Sequence, residues 1–361
     1  MWSTFLVILG VLHPLAQLVS AEVQCINPHD QQGICINIRK CKYLLDILTT
    51  QGNKQGDFLR ASVCGYEGRD PRVCCPLQPE NNVDSNRGGK KEDDTNIEDI
   101  LPPECGLSDG SHTKIVGGNP AELGAWPWIA ALGYRNVNNP SSPKWLCGGT
   151  LITSTHVLTA AHCAYRRTDL FMVRVGALHL NDVNDGAHPV DLLIQQQIIH
   201  PQYSPSTFTN DIAVLRLQGS VPLSLHMPIC LPLPEKVRNK NYEYSFPFVA
   251  GWGSIQFRGP RSLILQEVQL PVVNLQSCKN AYDKFKVTII DDRVICAGFA
   301  RGGKDACEGD SGGPLMTYSD GKYYLLGVVS YGHQCALPGI PGVYSNVITF
   351  TDFILGALKR Q

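Results

Sequence analysis

The chain has 361 residues, a formal net charge of −1 and an apolar content of 43%. Nucleic-acid-binding proteins usually show a strong basic excess, so this balance argues against a nucleic-acid partner. A chain of this length can bury one large core and still carry a smaller module. Its 14 cysteines favour an oxidising compartment, and their even number permits complete pairing.

Residues 1–21 are predicted to form a signal peptide. The stretch Phe5–Val19 is apolar, and small residues precede a cleavage point after Ala21. The alternative is a membrane anchor, but the run is short and is interrupted by His13 and Pro14. The n-region departs from the usual pattern in having no Lys or Arg. No later stretch approaches the roughly 18 apolar residues of a membrane span, so we expect a secreted, extracellular protein without a membrane partner.

Residues 22–76 are predicted to form a small, cysteine-dense domain. Such a segment cannot bury much core, so disulfides would have to hold it together. One stretch, Cys41–Thr50, has a helical pattern. A metal site is disfavoured because no histidine stands at ligand spacing. The spacing alone does not choose among the pairings of its cysteines, which are Cys25, Cys35, Cys41, Cys64, Cys74 and Cys75.

Residues 77–114 are predicted to be a linker and activation segment. The part Asn81–Ile100 is polar and charged, and this composition is typical of mobile chain. The segment ends in Thr113-Lys114, followed by Ile115-Val116-Gly117-Gly118. A basic residue before a small apolar stretch in an exposed region is a target for proteolysis.

Residues 115–361 are predicted to form an all-β domain. Short apolar runs, rich in β-branched and aromatic residues, alternate with Gly, Pro, Asn and Asp, a pattern typical of a barrel or sandwich. The clearest runs are Trp126–Leu132, Phe171–Val175, Asp211–Leu217 and Tyr323–Val329. A terminal helix is predicted over Val347–Leu358 from the periodicity of its apolar residues.

A candidate nucleophile stands in Gly309-Asp310-Ser311-Gly312-Gly313-Pro314. Glycines allow the positive φ angles of a tight turn and a close approach of substrate backbone. A backbone N–H just before Ser311 can point at a developing oxyanion. A short Gly/Ser run alone is usually only a loop, so Ser311 needs partners.

Two side chains are candidates for those partners. His162 follows Thr159-Ala160-Ala161 and precedes Cys163, which could bridge to Cys147 and clamp the loop. Asp211 leads directly into an apolar strand, where a carboxylate would need a partner such as an imidazolium. A histidine base oriented by a carboxylate is the arrangement that activates a serine.

These three blocks resemble the catalytic blocks of the chymotrypsin/trypsin family, in the same order along the chain. The cysteine pattern of 25–75, which closes on Val73-Cys74-Cys75-Pro76, resembles the clip domain of arthropod serine proteases. The whole chain thus resembles an arthropod clip-domain serine protease, with the bee venom serine proteases and prophenoloxidase-activating proteases most alike. This implies two six-stranded antiparallel β-barrels and a C-terminal helix behind a disulfide-rich clip domain.

The resemblance also implies roles for single residues. Ser311 would attack, His162 would act as base and acid, and Asp211 would orient His162, while the N–H groups of Gly309 and Ser311 hold the oxyanion. Specificity for Arg or Lys would rest on the residues of the primary pocket and the substrate-pairing strand, Asp305, Ser330, Gly332 and Gly342. Cleavage between Lys114 and Ile115 would free an ammonium that pairs with Asp310.

The seven disulfides implied by the resemblance are Cys25–Cys74, Cys35–Cys64, Cys41–Cys75, Cys105–Cys230, Cys147–Cys163, Cys278–Cys296 and Cys307–Cys335. We expect no cofactor and no metal. Ala177 replaces the first acidic ligand of relatives that bind calcium, and Asp182 and Asp185 do not fit that pattern. Pro341 stands where sodium-activated relatives have a tyrosine.

The partners implied are protein substrates cut after Arg or Lys, an upstream activating protease, serpin-type inhibitors and a cofactor protein for the clip domain. The substrate could belong to a prophenoloxidase or other innate immune cascade, or to the haemostasis of an envenomed animal. The alternative function is a catalytically inactive clip-domain adaptor, which Ser311 argues against because such adaptors usually carry Gly there. A digestive trypsin would not need the clip domain.

Overall fold

The computed structural model describes residues 24–28, 32–41, 44, 48, 56–67, 70–76, 97–108, 110, 118–140, 142–182, 184–254, 259–285, 287–302, 309–332 and 337–360. The chain divides into two compact units, Met1–Lys91 and Glu92–Gln361. In the described residues no helix is long and apolar enough to cross a membrane.

The first unit is a four-stranded antiparallel sheet in the order β1-β2-β4-β3. Its elements are β1 (Gln24–Ile26), β2 (Gln32–Asn37), a 3₁₀ helix (Ile38–Lys40), α1 (Gly56–Ala61), β3 (Val63–Glu67) and β4 (Asp70–Pro76). The core is small and centres on Cys41, Leu44, Leu59 and Val73. Disulfides compensate for this small core. The helix predicted over Cys41–Thr50 lies mostly outside the described residues, and α1 was not predicted.

Three disulfides join the strands of the first unit to one another and to the chain that follows β2. They are Cys25–Cys74, Cys35–Cys64 and Cys41–Cys75. In the second unit the structure contains Cys105–Cys230, Cys147–Cys163 and Cys278–Cys296. The pair Cys307–Cys335 lies outside the described residues.

The second unit is mostly strand. The strands are β5 (Asn119–Pro120), β6 (Ile129–Tyr134), β7 (Lys144–Thr153), β8 (His156–Thr159), β9 (Leu170–Val175), β10 (Val190–Ile199), β11 (Ala213–Leu217), β12 (Phe248–Gly251), β13 (Gln266–Gln269), β14 (Val272–Val273), β15 (Val294–Ala297), β16 (Pro314–Ser319), β17 (Lys322–Tyr331) and β18 (Gly342–Asn346). The helices are α2 (Ile97–Ile100), α3 (Ala161–Ala164), α4 (Glu235–Arg238), α5 (Leu275–Tyr282) and α6 (Thr351–Leu358).

Six of these strands close into a barrel in the order β10-β11-β8-β7-β6-β9. Every residue of β6 and β8 is buried. For β6 this explains why its sequence is a continuous apolar run rather than an alternating one. The core is filled by large side chains that are almost fully buried, among them Trp128, Tyr134, Leu151, Leu158 and Leu215.

The other strands form an eight-stranded sheet in the order β14-β15-β18-β17-β16-β12-β13-β5. The predicted all-β architecture with two β halves is confirmed. The second half differs in detail from a six-stranded barrel because the two-residue strands β5 and β14 extend the sheet at its edges.

Two helices differ from the predictions made for their segments. The terminal helix α6 begins at Thr351 rather than Val347, because residues 347–350 form a turn although Val347 is fully buried. Helix α2 lies inside the segment predicted to be mobile linker. Its residues Ile97 and Ile100 pack against the barrel core. The sequence did not predict this contact because the residues around this short apolar pair are polar and charged.

Candidate active site

His162 lies on the single-turn helix α3, directly after β8. Its Nδ1 is 2.8 Å from Oδ2 of Asp211, and its backbone N–H donates to Oδ1 of the same residue at 2.9 Å. The neighbouring Cys163 is bonded to Cys147 of β7, so the helix is fastened to the barrel on its other side. Both main-chain and ring groups of His162 are thereby fixed against one carboxylate.

Asp211 precedes β11 and is only 1% exposed. A buried carboxylate is costly unless hydrogen bonds compensate, and here several do. Besides His162, the Ser330 hydroxyl donates to Oδ2 of this carboxylate at 2.5 Å. The Ser345 hydroxyl holds the main chain of the same residue, because it donates to the backbone carbonyl of Asp211 at 2.6 Å. A carboxylate oxygen accepts, so Nδ1 of His162 is the nitrogen that donates to Asp211, and Nε2 is the nitrogen left to accept a proton.

Ser330 and Ser345 belong to β17 and β18, in the other half of the unit. The resemblance assigns Ser330 to the strand that pairs with the substrate, and in the structure its side chain also contacts Asp211. Ser345 was not identified from the sequence. The two serines lie 119 and 134 residues from Asp211, so only the folded sheet brings them to it.

Ser311 lies in a tight turn. The carbonyl of Asp310 accepts from the N–H of Gly313 at 2.8 Å, and Gly312 has φ +81° at the third position of this four-residue turn. Glycine suits that position because it adopts positive φ readily. A Cβ on Gly312 would lie 2.5 Å from the carbonyl oxygen of Gly148, so the turn is also packed too closely for a side chain there.

The backbone of Ser311 lies beside His162. Its carbonyl accepts from the N–H of Gly148 at 2.7 Å. The sulfur of Cys163 is 3.6 Å both from that carbonyl oxygen and from Nε2 of His162. The structure therefore brings the three sequence-predicted residues His162, Asp211 and Ser311 to one place.

Gly309 and Asp310 lie next to the Gly251-Trp252-Gly253 segment. Oδ1 of Asp310 accepts from the N–H of Gly253 at 2.7 Å. A Cβ on either Gly251 or Gly253 would lie closer to the Asp310 carboxylate than van der Waals contact allows. Gly309 itself has φ +104°, which favours glycine. The two flanking glycines thus make a cradle that fits the carboxylate of Asp310.

Phe208 adds an aromatic neighbour that sequence reasoning missed. Its ring centroid is 5.8 Å from that of His162 and 5.6 Å from that of Tyr331, with edge and tilted geometries. Burial, with Asp211 adding to it, raises the pKa of Tyr331 above its usual range. Phe208 lies only three residues before Asp211, but no motif marks it.

The remaining predicted residues fall in two groups. Gly342 begins β18, opposite Ala297 of β15, and Gly332 follows the end of β17. Lys114, Ile115 and Asp305 lie outside the described residues, so their predicted roles stay predictions.

One group of described residues, Cys147, His162 and Cys163, has the spacing of a metal site. Its two cysteines are bonded to each other, so neither offers a thiolate.

In the loop after β9, the carboxylate of Asp185 accepts from the N–H groups of His179 and Ala187 at 2.7 and 2.9 Å. That carboxylate therefore closes its own loop.

Comparisons with known proteins agree with this geometry. Residues 115–354 match the family model described as trypsin, and residues 25–75 match the regulatory CLIP domain of proteinases. The chain is 50% identical over 357 residues to the venom serine protease Bi-VSP of Bombus ignitus, covering 98% of this chain and 97% of that protein. It is 39% identical to the proclotting enzyme of Tachypleus tridentatus, covering 92% and 89% of the two chains. It is 35% identical to phenoloxidase-activating factor 3 of Holotrichia diomphalia, covering 98% of each chain. The chain therefore belongs to the trypsin family of serine endopeptidases and, with its N-terminal clip domain, to the arthropod clip-domain serine proteases.

Proposed function

We propose that the protein is a secreted zymogen that is activated by cleavage after Lys114 and then cuts proteins after Arg or Lys. The observation that carries this proposal is the buried Asp211, which accepts two hydrogen bonds from His162 beside the turn that holds Ser311.

The chemistry follows from the donors and acceptors of the site. Nε2 of His162 takes the proton of the Ser311 hydroxyl as its oxygen attacks the scissile carbonyl carbon. Asp211 stabilises the imidazolium, and the N–H groups of Gly309 and Ser311 donate to the oxyanion. His162 then gives the proton to the leaving amine, and water hydrolyses the acyl-enzyme by the same route.

Activation would act through Asp310. Cleavage after Lys114 turns the amide nitrogen of Ile115 into an ammonium, which pairs with the Asp310 carboxylate. The glycine cradle supports this role, because it already holds that carboxylate next to Gly309. Removing one partner from a buried pair costs about 3–5 kcal/mol, which is enough to switch the oxyanion loop between two arrangements.

Specificity would come from Asp305, whose carboxylate matches the cation of a substrate Arg or Lys. Gly332 and Gly342 leave room for a long side chain, and the end of β17 pairs with the substrate as an added strand. The names of the relatives, a venom protease, a proclotting enzyme and a phenoloxidase-activating factor, support limited proteolysis of another protein in venom or haemolymph. An upstream protease, serpin-type inhibitors and a cofactor docked on the clip domain complete the proposed set of partners.

The test uses the full chain, cut by a lysine-specific protease and assayed with a peptidyl-Arg p-nitroanilide. We expect the heavy chain to begin Ile-Val-Gly-Gly, activity to appear only after the cut, and Ser311→Ala to abolish it. Asp211→Asn should lower kcat about 10⁴-fold, the size found for the equivalent change in a well-studied member of this family.

Treating Ser311→Ala identically controls for the activating protease. Full activity of the uncut chain would overturn the zymogen proposal. Activity that survives in Ser311→Ala would overturn the assignment of the nucleophile, and an inert cut chain would favour an adaptor.

A further inference from the structure

An open cleft of about 220 Å³ lies beside Gly309. Its apolar lining residues include Leu180, Trp252 and Leu263, and Trp145 and Cys147 also line it. Because the space is several times the roughly 30 Å³ that one water molecule fills, it can accept part of a peptide.

The proposed chemistry indicates which part of a substrate reaches this cleft. The leaving nitrogen must lie next to Nε2 of His162 to receive its proton. The sulfur of Cys163 is 3.6 Å from that nitrogen, and its disulfide partner Cys147 lines the cleft. The substrate chain after the scissile bond therefore leads from His162 along the disulfide into the cleft. The chain before that bond is expected to pair with the end of β17, away from these walls.

Arg261 is the charged residue among the described residues that line the cleft. Its side chain is exposed and lies over Gly309, with Nε 3.2 Å from the position of a Cβ on that glycine. One of its nitrogens donates to the carbonyl of Trp145 at 2.5 Å, and a guanidinium has several further N–H donors.

A second cation nearby is already neutralised within the protein. Arg174 packs on the ring of Trp145 at 5.0 Å, but it makes two hydrogen bonds of 2.7 Å to the carboxylate of Asp191. Among the described residues that line the cleft, the charge presented to a substrate is therefore that of Arg261.

We propose that Arg261 is a specificity-determining residue for the leaving side of the substrate, and that the cleft takes Asp or Glu within the first two positions after the scissile bond. This inference rests on the proposed proteolytic function. A planar guanidinium binds a carboxylate through two parallel hydrogen bonds, which a neutral or cationic residue cannot accept in the same way. Because the pair is exposed, the preference should be moderate, roughly twofold to fivefold in kcat/KM.

The test compares quenched fluorescent peptides with Arg before the scissile bond and Ala, Gln, Glu or Lys at each of the two positions after it. The readout is the ratio of kcat/KM for the Glu peptide to that for the Lys peptide, measured within each variant of the activated full chain. We expect a ratio well above one in the wild type, close to one in Arg261→Gln, and below one in Arg261→Glu. A general loss of activity would lower both peptides together and leave the ratio unchanged.

Arg238→Glu is the matched control, because Arg238 is an exposed arginine on α4 that is not among the described residues of the cleft. It changes the net charge equally and should keep the preference for Glu. A wild-type ratio near one, or an unchanged ratio in Arg261→Glu, would overturn the inference while hydrolysis of peptidyl-Arg p-nitroanilide still supported proteolysis. A cut chain inert toward that small amide would overturn the proposed function and this inference with it.

Discussion

Gly312 stands at a position with two independent requirements for glycine. Its φ of +81° disfavours a residue with a side chain, and a Cβ would also meet the carbonyl oxygen of Gly148 and, closer still, Oγ1 of Thr159. Thr159 donates to the same carbonyl at 2.8 Å, so neither neighbour can move without breaking that bond. The turn that presents Ser311 is thereby set by backbone packing behind it.

We predict that Gly312→Ala lowers kcat at least 100-fold, since displacing a reacting group by about 1 Å can cost that much. Gly321 is the matched control, because it also has φ +81° but has no heavy atom within 4 Å of its added Cβ. Gly321→Ala should lower the free energy of unfolding by about 1 kcal/mol, the cost of placing an alanine at positive φ, and should keep the wild-type kcat. Equal kcat values for the two variants on a peptidyl-Arg substrate would show that the packing behind Ser311 is unimportant.

At the scale of elements, β8 carries a buried histidine that the proposed mechanism does not use. His156 is 5% exposed and lies opposite Arg216 of β11. Its Nδ1 is 3.0 Å from the hydroxyls of both Thr153 and Thr155. Burial, together with the nearby cation of Arg216, lowers the pKa of His156 from 6.5 to about 4. The barrel therefore keeps this ring neutral where an exposed histidine would take a proton.

This lowered pKa predicts acid sensitivity. Above pH 6.5 His156 is neutral in both the folded and the unfolded chain, so it does not lower the free energy of unfolding. Between about pH 6.5 and 4 the unfolded chain binds a proton at His156 that the folded barrel does not. His156 should therefore cost about 2 kcal/mol of unfolding free energy at pH 5 relative to neutral pH. Melting temperatures of inactive Ser311→Ala chain, with and without His156→Gln, measure this between pH 7 and 5.

The deciding quantity is the difference between the two proteins in how steeply the melting temperature falls with pH. Burial also lowers the pKa values of His200 and His226, but these residues contribute equally with and without His156→Gln. A smaller loss in the His156→Gln protein supports the assignment, and identical slopes would refute it.

Features that depend on neighbouring residues could be predicted from the sequence, and those that depend on distant ones could not. The run Phe171–Val175 predicts β9 (Leu170–Val175) within one residue, and the local blocks around His162, Asp211 and Ser311 identify the site. By contrast, the bond between Ser345 and Asp211 joins residues 134 positions apart. Periodicity also could not separate the turn at 347–350 from the helix α6 that follows it. Each buries a β-branched aliphatic residue, Val347 in the turn and Ile354 in the helix.

At the scale of the whole molecule, Cys105–Cys230 joins segments on either side of the proposed cleavage site. Backbone bonds reinforce it, since the N–H of Gly106 donates to Pro228 and its carbonyl accepts from Tyr323, both at 2.8 Å. The N-terminal fragment produced by a cut after Lys114 would therefore stay attached to the protease domain.

We predict that the wild-type chain cut only after Lys114 runs as one band on a denaturing gel without reductant and as two bands with it. The double variant Cys105→Ala, Cys230→Ala should separate into two bands in both cases. The double variant Cys41→Ala, Cys75→Ala removes a bridge within the first unit and should behave as wild type. Separation of the cut wild-type chain without reductant would exclude the tether.

The bonds around Asp211 connect the two halves of the second unit. His162 follows β8 and Asp211 precedes β11, and both strands belong to the closed barrel. Ser330 and Ser345 belong to the eight-stranded sheet, and Ser311 lies in the turn before its strand β16. A nascent chain whose barrel has folded alone would hold the proposed base without the proposed nucleophile. Such a chain could not cleave a neighbouring protein, whatever the state of Lys114. Folding of both halves would therefore be a requirement for activity that precedes the proposed cleavage after Lys114 and is independent of it.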